Sequence, residues 1–149
     1  MAEALDVGPG TRIFEVDCGA GEFLQPLHLN GYIVGGIDAD AEAIARAVAV
    51  MPDGIFQLGA ASTLDPAVPW DVVIRRSFAA PHDMRGLLAR MFAKATHAIA
   101  ILDVPDERRK WMLHALAEIG AQAIQFEHAN PGVRPHAGET FHVFARVST

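Results

Sequence analysis

Apolar runs and helically spaced apolar positions alternate along this chain. Arg12-Ile13-Phe14-Glu15-Val16 is dense enough in apolar residues to be a buried strand. The run breaks into a Gly-x-Gly turn at Gly19-Ala20-Gly21, and Glu22 to Asn30 then places Phe23, Leu24 and Leu27 on one helical face, with Asn30-Gly31 as its stop. Tyr32 to Asp38 reads as a second strand. Asp40 suits the cap of a helix whose stripe is Ile44, Val48 and Met51. Pro52-Asp53-Gly54 is a turn, Ile55 to Leu58 a third strand, and Gly59 to Pro69 a loop.

Trp70 to Ile74 is a fourth strand, and Asp83 caps a helix carrying Leu87, Leu88, Met91 and Phe92. His97 to Leu102 is a fifth strand that ends at Asp103. Pro105 opens a helix with Trp111, Met112, Ala115, Leu116 and Ile119 inward, and Gly120 closes it. Ala121 to Phe126 and Thr140 to Val147 complete seven strands, with the loop from Asn130 to Pro135 between them. Met1 to Thr11, broken by Gly8-Pro9-Gly10, leaves little room for a helix. Strands and helices alternating at this spacing predict an α/β doubly wound sheet.

Composition narrows the function classes. A chain of 149 residues makes one domain that buries roughly two-thirds of its unfolded surface. The 51% apolar content suits a sheet covered on both faces, and it leaves a homo-oligomer interface open. No apolar run approaches the roughly eighteen residues of a membrane span, and the acidic start is no secretory signal. One cysteine excludes a disulfide framework, so a cytoplasmic setting is expected. A formal charge of −6, with Arg108-Arg109-Lys110 the sole basic cluster, argues against nucleic acid as a partner.

The chemistry concentrates around the first turn. Gly19 and Gly21 allow a sharp bend and a close approach to a ligand, and the following helix start offers backbone N–H groups. Asp38, at the end of the second strand, stands where doubly wound folds hold ribose hydroxyls. A ligand of nucleoside type follows.

In this set of motifs the chain resembles the class I S-adenosylmethionine-dependent methyltransferases over most of its length. The family's acid-x-Gly-x-Gly-x-Gly motif is matched by Glu15-Val16-Asp17-Cys18-Gly19-Ala20-Gly21, and its second-strand acid by Asp38. Its Gly-Asp-Ala turn is matched in part by Gly59-Ala60-Ala61, and its aromatic-Asp-Val-Val strand by Trp70-Asp71-Val72-Val73. The resemblance implies a Rossmann-like, seven-stranded, mostly parallel sheet with an antiparallel terminal strand. Residues 1–11 would be a short leader and 12–149 a single methyltransferase-like domain.

It also implies S-adenosylmethionine as cofactor and S-adenosylhomocysteine as product. Glu15 would face the methionine ammonium, the backbone from Cys18 to Gly21 would run under ribose and methionine, and Asp38 would take the ribose. Asp17, Ala39, Ala60, Ala61, Arg76 and Ser77 join this cofactor set. Asp17 stands in place of the motif's first glycine, and Ala60 in place of an acid that accepts from the adenine amino group. The extra helices that cover the substrate in family members have no counterpart here.

Arg75, Arg76 and Ser77 follow the fourth strand at the crevice mouth and suit an acidic group, against a reading as a solvated loop. His82 is the best-placed candidate base, against a role in capping alone. Cys18 reads as a small apolar turn residue rather than a nucleophile, and no histidine spacing matches a zinc signature. The expected function is methyl transfer to a small-molecule acceptor. The alternative is a catalytically reduced module that binds the cofactor or a protein partner. A nicotinamide dehydrogenase is disfavoured, because Leu24 stands where the dinucleotide fingerprint needs a third small residue.

Overall fold

Seven strands form one sheet in the order β3-β2-β1-β4-β5-β7-β6. In chain order they are β1 (Arg12–Val16), β2 (Ile33–Asp38), β3 (Ile55–Leu58), β4 (Trp70–Arg75), β5 (Ala95–Pro105), β6 (Ile124–His128) and β7 (Thr140–Arg146). The helices are α1 (Ala2–Leu5), α2 (Leu24–Leu29), α3 (Ala41–Val50), α4 (Met84–Lys94) and α5 (Arg109–Glu118). This computed structural model describes residues 1–77, 83–129 and 139–147. Strands β1 to β5 pair in parallel, and β7 runs antiparallel between β5 and β6.

The central strands are buried on both faces, which explains their lack of polar alternation. One face packs Phe14, Val16 and Val73 against Leu88 and Met91 of α4 and Met112 and Leu116 of α5. The other packs Ile13, Val34, Val72 and Ile74 against Leu5, Leu24 and Ile44 of the first three helices. At the strand starts, Asp71 accepts hydrogen bonds from the Arg12 backbone and side chain, and from Thr96. Burial pushes the Asp71 carboxyl up, but the Arg12 bonds and charge outweigh it, and the pKa is lowered.

A buried cation pins the loop before β4. Lys94, 2% exposed, donates to the carbonyls of Asp65 (2.7 Å) and Val68 (2.9 Å) and lies 4.8 Å from the Phe14 ring centroid. Burial lowers its pKa.

The structure departs from the sequence reading in its details. A short helix does precede β1, and its Leu5 belongs to the core, so the leader contributes packing. Helix α2 is shorter than Glu22 to Asn30, because Gly19 and Gly21 extend the turn. Val48 is 45% exposed rather than inward; Ala43, Ile44 and Ala47 form the buried stripe of α3. Strand β5 extends two residues before His97 and two past Asp103, because pairing with β7 resumes at Val104 beyond a register shift. Strand β6 starts at Ile124, three residues later than expected. The loop from Asn130 to Pro135 lies outside the described residues. Among those described, no helix is long and apolar enough to cross a membrane.

Candidate functional site

Strand order reverses direction between β1 and β4, so the crossovers diverge there and open a crevice at the strands' C-terminal ends. Two acid–base pairs fill this switch point. Glu15 shares the α2 face of β1 with Ile13, whereas Asp17, one residue past the strand and in the left-handed conformation, lines a cavity beside α4; Arg76 and Arg75 meet them there. Asp17 Oδ2 accepts from Arg75 Nε at 3.0 Å, and Arg75 also donates to the Ser77 carbonyl at 2.6 Å. Asp17 adopts the left-handed conformation, φ 58°, at the position that is glycine in the family motif. The conformation the turn needs is thus kept by an aspartate with an arginine partner.

Glu15, next to the last residue of the central strand β1, is 0% exposed. Arg76 Nε approaches its Oε2 to 2.6 Å. Neither Glu15 oxygen nor that Nε makes an aligned hydrogen bond, so the contact is close but of poor geometry. Burial pushes the Glu15 pKa up from 4.5 to about 8 despite the lowering by Arg76; Glu22 and Asp17 add smaller upward contributions. A buried acid with this much unused hydrogen-bonding capacity is a mark of a ligand site.

The turn between β1 and α2 is held from β2. Asp38 Oδ2 accepts from the Gly19 N–H at 2.9 Å, and its Oδ1 from the Asp40 N–H at 2.9 Å. Cys18 N–H donates to the Ile37 carbonyl, and Gly21 N–H to the Cys18 carbonyl. The N–H groups of Gly19 and Gly21 are therefore engaged within the protein. Each Asp38 oxygen keeps a second lone pair for another donor.

Gly21 is favoured by its left-handed backbone, φ 83°; a Cβ there would also displace the flexible end of Met51, 2.5 Å away. Gly36 on β2 is required, because a Cβ would meet Cys18 Cβ at 2.7 Å and the Glu15 carbonyl at 2.8 Å. Cys18 is buried and its pKa is pushed up to about 12, first by burial and then by the charges of Glu15 and Asp38. That suits a turn filler and removes a nucleophile.

Two cavities flank Asp17. The larger, about 510 Å³, is lined by Ala39, Ala60, Ala61 and Ser62 from the β2 and β3 ends and by Asp83, Leu87 and Arg90 of α4 and its cap. The smaller, about 350 Å³, is lined by Val16, Arg75, Arg76, Ser77 and Asp103. Asp17 lines both. Of the sequence-derived set, Asp17, Ala39, Ala60, Ala61, Arg76 and Ser77 thus line cavities. Glu15, Cys18, Gly19, Ala20, Gly21 and Asp38 form the wall and turn between the first two strands. His82 lies outside the described residues.

Several cavity residues were not singled out from the sequence for a site. Asp83 reads as a helix cap, and it does accept from the Gly86 N–H at 2.9 Å. Leu87 and Arg90 are ordinary helix residues until α4 is laid beside the β3 end, where Arg90 donates to the Ser62 carbonyl. Asp103 adopts φ 56° where pairing with β7 shifts register, and its N–H donates to His142 Nδ1 at 3.3 Å. Only that irregularity in pairing turns it toward the crevice, and sequence does not reveal it. Among the described residues, no group of three or more His, Cys, Asp or Glu side chains is arranged to hold a metal ion.

No protein-family model and no curated sequence matches the chain. Solved structures do. Magnesium protoporphyrin IX methyltransferase from Synechocystis PCC 6803, with bound SAM, superposes with a TM-score of 0.76 at 17% identity, over 94% of this chain and 71% of that one. A TehB-like SAM-dependent methyltransferase from Corynebacterium glutamicum gives 0.72 at 19% identity, over 99% and 85% of the two chains. CalS10, an amino pentose methyltransferase from Micromonospora echinaspora also solved with SAM, gives 0.73 at 15% identity, over 93% and 84%. Likeness at these identities is a likeness of fold. Together with the strand order and the antiparallel β7, it shows that this chain has the fold of the class I S-adenosylmethionine-dependent methyltransferases.

Proposed function

We propose that the chain binds S-adenosylmethionine across the C-terminal ends of β1, β2 and β3 and transfers its methyl group to a small-molecule acceptor. Glu15 carries this reading. A fully buried acid at the end of β1, with both oxygens short of aligned donors, is costly to fold and fits an ammonium brought by a ligand. The turn from Cys18 to Gly21, bent without clash at its two glycines, runs beneath the ribose and methionine. Asp38, with two lone pairs left, accepts from the ribose hydroxyls. Ala39, Ala60 and Ala61 leave the larger cavity wide enough for an adenine. Ser62 and Asp83 on its walls supply polar atoms where Ala60 has none.

When bound, S-adenosylmethionine supplies an electrophilic methyl on a sulfonium and leaves as S-adenosylhomocysteine. The protein's share is alignment. The switch point fixes the donor through Glu15 and Asp38, and the smaller cavity beside Arg75, Arg76 and Asp103 receives the acceptor in line with the methyl carbon. His82 is the proposed base for an acceptor that must lose a proton.

Gly19→Val and Asp38→Ala test the site. Either should abolish the thermal stabilisation that S-adenosylhomocysteine gives the unsubstituted protein, with the fold intact by circular dichroism. Undiminished stabilisation in both would show that the cofactor binds elsewhere or not at all. Binding without methyl transfer to any acceptor would instead favour a module that uses the cofactor only as a ligand.

A further inference from the structure

The Glu15 pocket already holds a cation. Arg76 reaches Glu15 from outside the pocket: its side chain is 39% exposed, it lies 5.7 Å from the Phe23 ring centroid, and it lines the smaller cavity. The acid is fixed on a central strand, and the guanidinium sits on a long side chain at the rim. Only one of the two can move. The pair also has poor geometry, since Glu15 Oε1, Glu15 Oε2 and Arg76 Nε all lack aligned hydrogen-bond partners. A structural bridge buried at this depth would be expected to align, because Arg–carboxylate pairs gain most when bidentate. A fixed acid under a movable cation is the complement of a zwitterion.

We propose that the Glu15–Arg76 pair is exchanged for the zwitterion of an α-amino-acid group. The ligand's ammonium takes Glu15, and Arg76 swings to the cavity mouth and takes its carboxylate. This rests on the cofactor assignment above and adds to it a specificity device. A ligand with both charges replaces one ill-aligned pair by two new ones. A ligand with the amine alone must displace Arg76 and then endure its positive charge nearby, without return. Arg76 is therefore the residue that makes the site demand a carboxylate.

The test uses three probes against the full chain and the variants Arg76→Met and Arg76→Lys. They are S-adenosylhomocysteine, its decarboxylated counterpart bearing a 3-aminopropyl thioether, and 5′-methylthioadenosine, which has neither charge. Calorimetric titration at one pH reads the affinities, and circular dichroism verifies the fold. The unsubstituted protein should prefer S-adenosylhomocysteine to the amine by at least about tenfold, as one charge-assisted pair predicts. In Arg76→Met the amine should bind more tightly and S-adenosylhomocysteine more weakly, so that the preference collapses. Arg76→Lys should retain part of it, and 5′-methylthioadenosine should bind all three proteins alike. An unchanged preference in Arg76→Met would overturn the exchange while leaving the cofactor site standing. Failure of S-adenosylhomocysteine to bind the unsubstituted protein would overturn both.

Discussion

Glu15→Gln should make the protein more stable in alkaline solution, and by a large margin. In the unfolded chain this carboxyl ionises near its ordinary value of 4.5; in the folded protein burial holds its proton until about pH 8. Between those two values the folded state binds the extra proton. The contribution is thus fully present below pH 4.5 and is lost as the pH rises through 8. At about 1.4 kcal/mol for each pKa unit, the loss accumulates to about 5 kcal/mol, a large share of a typical domain's stability. Glutamine keeps the shape and carries no proton to lose.

The assay is urea unfolding at intervals from pH 5 to pH 9, reported as the difference between variant and unsubstituted protein so that other titrating groups cancel. The lowered Asp71 stabilises above its ordinary value of 3.8 and loses that contribution in acid, below this window. The difference should grow by roughly 1.4 kcal/mol per pH unit up to about pH 8 and then level off. Parallel curves would mean that Glu15 ionises freely in the folded state, and the account of a costly, under-bonded acid would fall with it.

Other outcomes follow from the packing of the site. Gly36→Ala should cost about 1–3 kcal/mol in urea unfolding, because its Cβ would press on Cys18 and the Glu15 carbonyl; a loss below roughly 0.5 kcal/mol would show that the turn yields freely. Lys94→Met fills the same space but leaves the carbonyls of Asp65 and Val68 without their buried donor. It should cost about 2–4 kcal/mol, and a neutral result would mean that water replaces the ammonium. Asp17→Gly exchanges a strained backbone for a half-exposed ion pair with Arg75, two effects of about 1 kcal/mol that oppose each other. Stability should stay within about 1 kcal/mol of the parent, and a loss above roughly 2 kcal/mol would assign the turn's integrity to the Arg75 pair.

The sheet was legible because its strands are apolar runs with clear breaks, and because parallel strands need crossover helices at predictable spacing. Glu15 and Asp38 could be singled out for a similar reason: an acid ending a buried strand has few structural excuses. What the sequence hid depends on tertiary placement. Nothing in Arg75-Arg76 says that each arginine meets an acid, one within β1 and one in the turn just after it. Nothing in Asp83 or Arg90 shows that α4 walls a cavity at the β3 end. Asp103 turns toward the crevice where the β5–β7 register shifts, which follows from antiparallel pairing with a strand some forty residues away. The inward placement of Val48 failed on a narrower point. The buried face of α3 is Ala43, Ile44 and Ala47, and Val48 lies outside it, 45% exposed.

The central claim is that the crevice at the C-terminal ends of β1, β2 and β3 is an S-adenosylmethionine site. Calorimetric titration with S-adenosylmethionine and S-adenosylhomocysteine, with NADH as the control, tests it most directly. The account predicts micromolar binding of the first two at one site per chain and none of NADH. Failure of both to bind a folded protein would contradict it.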